Sequence, residues 1–263
     1  MTLLALTHAP SPRMADCVRT YALSQGSETV IDLGRVHAQH EAYRAALALA
    51  GAEVHVLDVN RDHPDAVFIE DTAVVLDEIA VITSMGAPSR VGEPAGIEPV
   101  LARYRSIVRI VSPAKLEGGD VLRVGKQLLV GVTARTNATG ISALTSITRP
   151  YGYSVTPVPI EGCLHLKSAC TALPDGSLLL NERWLAPDAH DALAGFEKVL
   201  VPHDEPNAAN VVIVGDDVIM SADCPRTAAL VQQHAARVHR LDLSELAKAD
   251  GSATCLSLIF ALS

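Results

Sequence analysis

The chain has 263 residues, 49% of them hydrophobic, only 19% charged and 3% aromatic, with a formal net charge of −9. That length and apolar content suffice for a large core. The acidic balance and scarce aromatics argue against the clustered Lys and Arg, and the stacking platforms, of nucleic-acid binding. No apolar run reaches the roughly 18 residues that span a bilayer. The opening MTLLALTHAPSPR lacks the layout of a secretory signal. A cytoplasmic protein with neither membrane nor nucleic-acid partner is expected. Cys17, Cys163, Cys170, Cys224 and Cys255 form an odd set without a C-x-x-C pair, unlike a disulfide framework or a zinc knuckle.

In chain order, LLALT reads as a strand, followed by a helix over Val36–Ala50. Its apolar face is read at Ala42, Ala45, Ala46 and Leu49, and Gly51 stops it. The strand EVHVLDV comes next. A pattern of strand, tight turn, strand, helix, strand then repeats. TAVVL and IAVIT flank Asp77-Glu78, before a helix near Glu93–Tyr104 and SIVRIV. DVLRV and QLLVGV flank Gly125-Lys126, before a helix after Thr136 and YSVTPV. SACTAL and SLLLN flank Pro174-Asp175-Gly176, before a helix from about Pro187 and KVLVP. NVVIV and VIMSA flank the turn Gly215-Asp216-Asp217, before a helix near Pro225–Ala236 and VHRLDL. CLSLIFAL remains, and pairing it with LLALT completes a fifth copy. The pattern predicts one α/β domain over residues 1–263: a five-bladed propeller of ββαβ units around a central channel. Its last blade is closed by both ends of the chain, which removes exposed sheet edges. A generic α/β sandwich with hairpins is the alternative.

Each copy is preceded by a polar residue that a buried strand start would not choose. Glu70, Glu117, His165, Asn210 and Cys255 recur every 45–48 residues. Equivalent positions in a ring of repeats converge on its axis, so two carboxylates, an imidazole, an amide and a thiol should meet. Taken singly, a Cys in an apolar strand is usually an inert core thiol. A lone His between Leu164 and Leu166 is more often a hydrogen-bonded core residue, and Gly118-Gly119 reads as a bend. Recurrence in register favours the functional reading.

The residue types suggest the chemistry. An ionised Cys is the strong nucleophile of the set. A His can protonate a leaving amine and then deprotonate water. Buried carboxylates need a cationic partner, and a planar guanidinium donates paired hydrogen bonds to one. Such a cation also favours the thiolate beside it. Metal binding finds no H-x-x-x-H or H-E-x-x-H spacing. Gly-rich pieces such as VGEPAG lack the phosphate-binding fingerprints and read as loops.

Along essentially its whole length the sequence resembles the dimethylarginine dimethylaminohydrolases, a branch of the guanidine-modifying superfamily built on a five-bladed propeller. The motifs are DAVFIEDTAV, the arginine of GAPSR, LEGGDVL, ARTNATG, LHLKSAC and KADGSATCLSL. The resemblance implies Cys255 as nucleophile, His165 as acid/base, and Glu117 as support for the histidine and the guanidinium. It implies Glu70 and Asp71 on the guanidinium nitrogens, Asp65 on the substrate α-amino group, and Arg90 and Arg135 on its α-carboxylate. Backbone carbonyls near Val18 and Ala249 complete the set, although SPRMADCVRT diverges from the lid such a family carries. The implied reaction converts Nω,Nω-dimethyl-L-arginine, or the monomethyl form, to L-citrulline through a covalent thiouronium, without metal or organic cofactor. The partner would be a small molecule, and the protein a monomer or homodimer. Another guanidine hydrolase of the same fold is the nearest rival, and a non-enzymatic propeller the most distant. Classical arginine deiminases are longer, with an inserted helical region not found here.

Overall fold

The computed structural model describes residues 2–20 and 30–262. The first elements are β1 (Leu3–His8), α1 (Leu33–Leu49) and β2 (Ala52–Leu57). Blade one contains β3 (Ala73–Val75), β4 (Ile79–Ile82), α2 (Glu93–Leu101) and β5 (Ser106–Arg109). Blade two contains β6 (Val121–Val124), β7 (Gln127–Val132), α3 (Ala138–Thr148) and β8 (Ser154–Pro159). Blade three begins with α4 (Leu166–Ala169), then β9 (Cys170–Ala172), β10 (Leu178–Leu180), α5 (Ala189–Ala192) and β11 (Lys198–Leu200). Blade four contains β12 (Val212–Val214), β13 (Asp217–Ser221), α6 (Pro225–Val231) and β14 (Arg237–Leu241). After α7 (Ser244–Ala247), β15 (Ser257–Ala261) pairs antiparallel with β1, and β2 pairs parallel with β1 on its other side.

All five sheets repeat one arrangement. The first two strands are antiparallel, and the third runs parallel to the second. Tight turns suit the antiparallel step, whereas the parallel step needs a long crossover, which the helix supplies. The result is the five-bladed α/β propeller expected from the repeats, closed by β15 against β1. Among the described residues no helix is long and apolar enough to cross a membrane.

Apolar side chains fill the seams between blades. Leu4 and Leu6 of β1, with Leu258 and Phe260 of β15, pack on Ile69, Ala80, Ile82 and Ile97 of blade one. Ala5 points the other way, into a cluster with Val212 and Ile219 of blade four. Period-two alternation thus sends successive residues of one strand into different seams. Both faces are buried, which explains the near-continuous apolar runs in the sequence.

Polar clasps cross the seams close to the axis. Asp71 Oδ1 accepts from Gly119 N at 3.0 Å, and Asp120 Oδ1 from Leu166 N at 3.0 Å. Thr171 Oγ1 donates to the Ala209 carbonyl at 2.6 Å, and Asn210 Oδ1 accepts from Thr254 N at 2.9 Å. Blades one to four therefore each grip the main chain of the next where the next blade begins.

Several local expectations need correction. The buried face of α1 is Val36, Gln39, His40, Tyr43, Ala46 and Leu47, whereas Leu49 is 65% exposed. An alanine-rich helix has no strong phase of its own, and Tyr43 with Leu47 buries more surface than the alternative face. VGEPAG is not all loop, because α2 starts at Glu93 with Pro94 in its first turn. That helix ends at Leu101, and the blade-three helix is the single turn α5. Asp217 is no turn residue. It opens β13, buried, with Arg237 Nη2 at 2.8 Å and His239 Nε2 at 2.9 Å from the parallel neighbour β14.

Leu6 is fully buried at the closing seam. Leu6→Ala should lower the unfolding free energy by about 2–5 kcal/mol, read by urea denaturation. A loss under about 1 kcal/mol would mean that this seam relaxes and carries little of the fold.

Candidate active site

The five recurring residues lie just ahead of the first strand of each blade. Glu70 sits in a 3-10 turn, Ile69–Thr72, and Cys255 in another, Thr254–Leu256. Glu117 leads into the turn Gly118–Asp120, His165 into α4, and Asn210 into β12. Gly118 and Gly119 serve close approach here, not merely a bend. A Cβ on Gly118 would lie 2.1 Å from the Glu70 carbonyl oxygen. One on Gly119 would lie 2.7 Å from Asp71 Oδ1 and 2.8 Å from His165 Nδ1.

His165 and Glu117 form a buried ion pair, Nε2 to Oε2 at 2.8 Å. Burial alone would lower the imidazole pKa, but the carboxylates of Asp71, Asp120 and Glu117 outweigh it and hold the ring cationic. Burial opposes the charge on Glu117 too, and the hydrogen bond from His165 nevertheless draws its carboxyl below the usual range. The remaining capacity of Glu117 is filled by Gly86 N at 2.9 Å, Ala87 N at 3.1 Å and Arg135 Nη1 at 3.2 Å. With Nε2 engaged, Nδ1 is the nitrogen left to exchange protons.

Arg90 is 3% exposed and runs between acids. Its Nη2 bonds Glu93 Oε2 at 2.8 Å and the Phe68 carbonyl at 2.9 Å, its Nε bonds Glu93, and its Nη1 bonds Asp71 Oδ2 at 2.6 Å. One N–H of Nη1 has no acceptor among the described residues. Asp71, Glu117 and His165 place ligand-type atoms within 4.8 Å of one another. Two arginines already face those carboxylates, so a divalent cation there would meet like charge.

Cys255 is 9% exposed. Burial raises its thiol pKa, and the neighbouring Glu70 and Asp71 push it the same way, so the resting sulfur carries its proton. Glu70 stands behind the pocket, with Oε1 receiving Lys167 Nζ at 2.5 Å and Oε2 buried without a hydrogen-bond partner. Burial outweighs the lysine and lifts Glu70 to about 7. Burial likewise lifts Asp65 to about 6, although Val18 N donates to its Oδ1 at 3.1 Å. Thr20 N reaches Asp250 Oδ2 at 2.5 Å, so the segment ending at residue 20 is tied across the pocket.

Val18, Asp65, Asp71, Arg90, Arg135, His165, Ala249 and Cys255 line one cavity of about 20 Å³, large enough for a water. Glu70 and Glu117 support it from behind. Asn210 instead lines an adjoining cleft of about 350 Å³, between Trp184, Asp223 and Lys248. Sequence reasoning overlooked Glu93, Asp120, Lys167 and Thr254. Asp120 and Lys167 fall inside the quoted motifs, one residue after Gly119 and two after His165. Glu93 was hidden in a segment read as loop.

A family model described as arginine deiminase matches residues 59–150. The N(G),N(G)-dimethylarginine dimethylaminohydrolase of Streptomyces coelicolor is 38% identical over 97% of this chain and 95% of its own length. Among solved structures, a cysteine-to-serine mutant of the Pseudomonas aeruginosa enzyme complexed with citrulline matches with a TM-score of 0.90 at 31% identity. The match covers 99% of this chain and 100% of that one. A histidine-to-glycine dimethylarginine dimethylaminohydrolase adduct with S-methyl-L-thiocitrulline matches with a TM-score of 0.90 at 32% identity, with the same coverage. Close agreement in both sequence and fold over the full ring places this chain in the dimethylarginine dimethylaminohydrolase family, hydrolases that act on C–N bonds.

Proposed function

We propose that the five blades form one catalytic domain that hydrolyses Nω,Nω-dimethyl-L-arginine, and the monomethyl form, to L-citrulline and the corresponding amine. The carrying observation is a charge pattern around a thiol. Cys255, His165 and Asp71 share a cavity with Asp65, Arg90 and Arg135. Asp65 and Glu70, with raised pKa values, lack enough positive charge. A ligand with a guanidinium, an ammonium and a carboxylate answers all of these groups together. The guanidinium would sit against Asp71, backed by Glu70, the α-ammonium against Asp65, and the α-carboxylate against the free N–H groups of Arg90 and Arg135. Carbonyls near Val18 and Ala249 would accept from the ammonium. The relatives crystallised with citrulline and with a thiocitrulline adduct support this class of ligand.

The chemistry follows from the resting charges. Arrival of the guanidinium offsets Glu70 and Asp71, so the Cys255 thiol gives up its proton to water and thence to solvent. The thiolate attacks the guanidinium carbon and forms a C–S bond. Cationic His165 passes a proton to the departing amine as the C–N bond breaks, which leaves an S-alkylthiouronium. Neutral His165 then takes a proton from water, whose oxygen attacks the same carbon. The C–S bond then breaks, the hydroxyl proton of the adduct passes to the departing sulfur, and citrulline leaves with the resting thiol restored. Glu117 keeps the imidazolium oriented and charged between these steps.

Cys255→Ser should abolish citrulline formation with the fold retained, since a serine hydroxyl is a far weaker nucleophile. Turnover within about tenfold of wild type would remove Cys255 from the role.

Glu117→Gln takes away a negative charge beside the imidazole, so His165 should titrate at lower pH than in wild type. The His165 ring-proton shift followed by NMR against pH checks this. An unchanged midpoint would mean that Asp71 and Asp120 alone hold the charge.

Ligands lacking one end leave Asp65 or the arginines unpaired. Agmatine and methylguanidine should therefore fall about tenfold or more below dimethylarginine in kcat/KM. Agmatine handled as well as dimethylarginine would favour a different guanidine hydrolase specificity, with the Cys255 chemistry intact.

A further inference from the structure

Asn210 shares the register of the catalytic side chains, yet the chemistry above gives it no task. It is 5% exposed, and its Oδ1 accepts from the Thr254 main-chain N–H across the seam between blades four and five. Thr254 adjoins Cys255, and its Oγ1 lies 3.9 Å from Cys255 Sγ. The turn Thr254–Leu256 is a single 3-10 turn with no side-chain cap at its N-terminus. Three residues of 3-10 helix have poor internal hydrogen bonding, and the first N–H groups of any helical turn need outside acceptors. Asn210 supplies one of them. The bond therefore sets where the main chain carrying Cys255 begins its turn, relative to a blade none of whose described residues lines the cavity.

We propose that Asn210 is a positioning residue for the nucleophile, acting through the Thr254 N–H to hold Cys255 Sγ in line with the substrate carbon. The closest parallel in this molecule is Asp120, which grips Leu166 N beside His165 in the same way. Acid/base and nucleophile are thus each fixed by a buried side chain of the preceding blade. Misplacement by a fraction of an ångström slows attack while leaving ligand contacts intact, because Asn210 touches none of the groups assigned to binding.

The proposal rests on Cys255 as nucleophile, and the test separates the two. Asn210→Ala removes the acceptor, and Asn210→Leu replaces it at similar volume. Both are compared with wild type for kcat, for KM, and for the rate of Cys255 alkylation by iodoacetamide, located by peptide mass. Alkylation reports on Cys255 whatever the natural substrate is. The expected result is kcat down about tenfold or more, KM within about threefold, and alkylation of Cys255 slowed about fivefold, with buried Cys170 and Cys224 staying unreactive. A folded variant with kcat within about twofold of wild type overturns the proposal, as does KM rising in step with the loss of kcat. It is equally overturned if Cys170 or Cys224 becomes reactive or if neither variant folds, since the bond would then hold the blade and not the nucleophile.

Discussion

Carboxylates kept away from water dominate this molecule. Glu117 and Asp120 are fully buried, and Asp65, Glu70 and Asp71 nearly so. Each must be met by donors or cations, because an unpaired buried charge is costly. Where the chain supplies main-chain N–H groups, the carboxylates become clasps, as at Gly119 and Leu166. Where it supplies Arg90, Arg135 and His165, they become a charged network in which the imidazole cannot easily lose its proton. Where it supplies too little, at Asp65 and Glu70, the shortfall becomes affinity for a cation. Structure, acid/base poise and ligand preference are thus three outcomes of one electrostatic constraint.

The ring geometry makes that constraint possible. Apolar seams hold neighbouring blades together over most of their area, while polar groups are confined to the inner ends. Dry walls strengthen each interaction at the axis, and the same dryness raises the thiol pKa of Cys255. At rest Cys255 is consequently held mainly as the protonated thiol. On the proposed reading, burial opposes ionisation of the thiol at rest, and a bound cation would offset that opposition.

Much of this was legible in the sequence. Turn residues between apolar runs, followed by helix-length segments, fixed the order of the blades, because tight turns and crossovers leave local signatures. The recurrence at Glu70, Glu117, His165, Asn210 and Cys255 marked the entry of each blade, but not that Asn210 would face the adjoining cleft while His165 and Cys255 share the smaller cavity. What escaped depends on tertiary partners. The alanine-rich α1 carries no decisive periodicity, so its buried face follows from which side chains the β-sheet accommodates. Asp217 reads as a turn residue until β14 brings Arg237 and His239 beside it. Lys167 and Glu93 are ordinary surface residues by type, and only their acidic partners, Glu70 and Arg90, draw them inside. Gly118 and Gly119 look like a bend from sequence because crowding by another blade leaves no local mark.

The pairing of β15 with β1 joins the first strand of the ring to the last. Cys255 lies immediately before β15, on the turn that delivers it. A chain whose first four blades are formed but whose β15 is undocked therefore lacks the Cys255 sulfur at the axis, although Cys163 already lies against the His165 carbonyl. Such a long-range pairing is slow to form, since the entropy of closing a large loop must be overcome first. Closure of the ring and delivery of Cys255 to the axis thus depend on one long-range pairing. On the proposed reading of Cys255, a chain without β15 in place lacks the thiol that the chemistry needs.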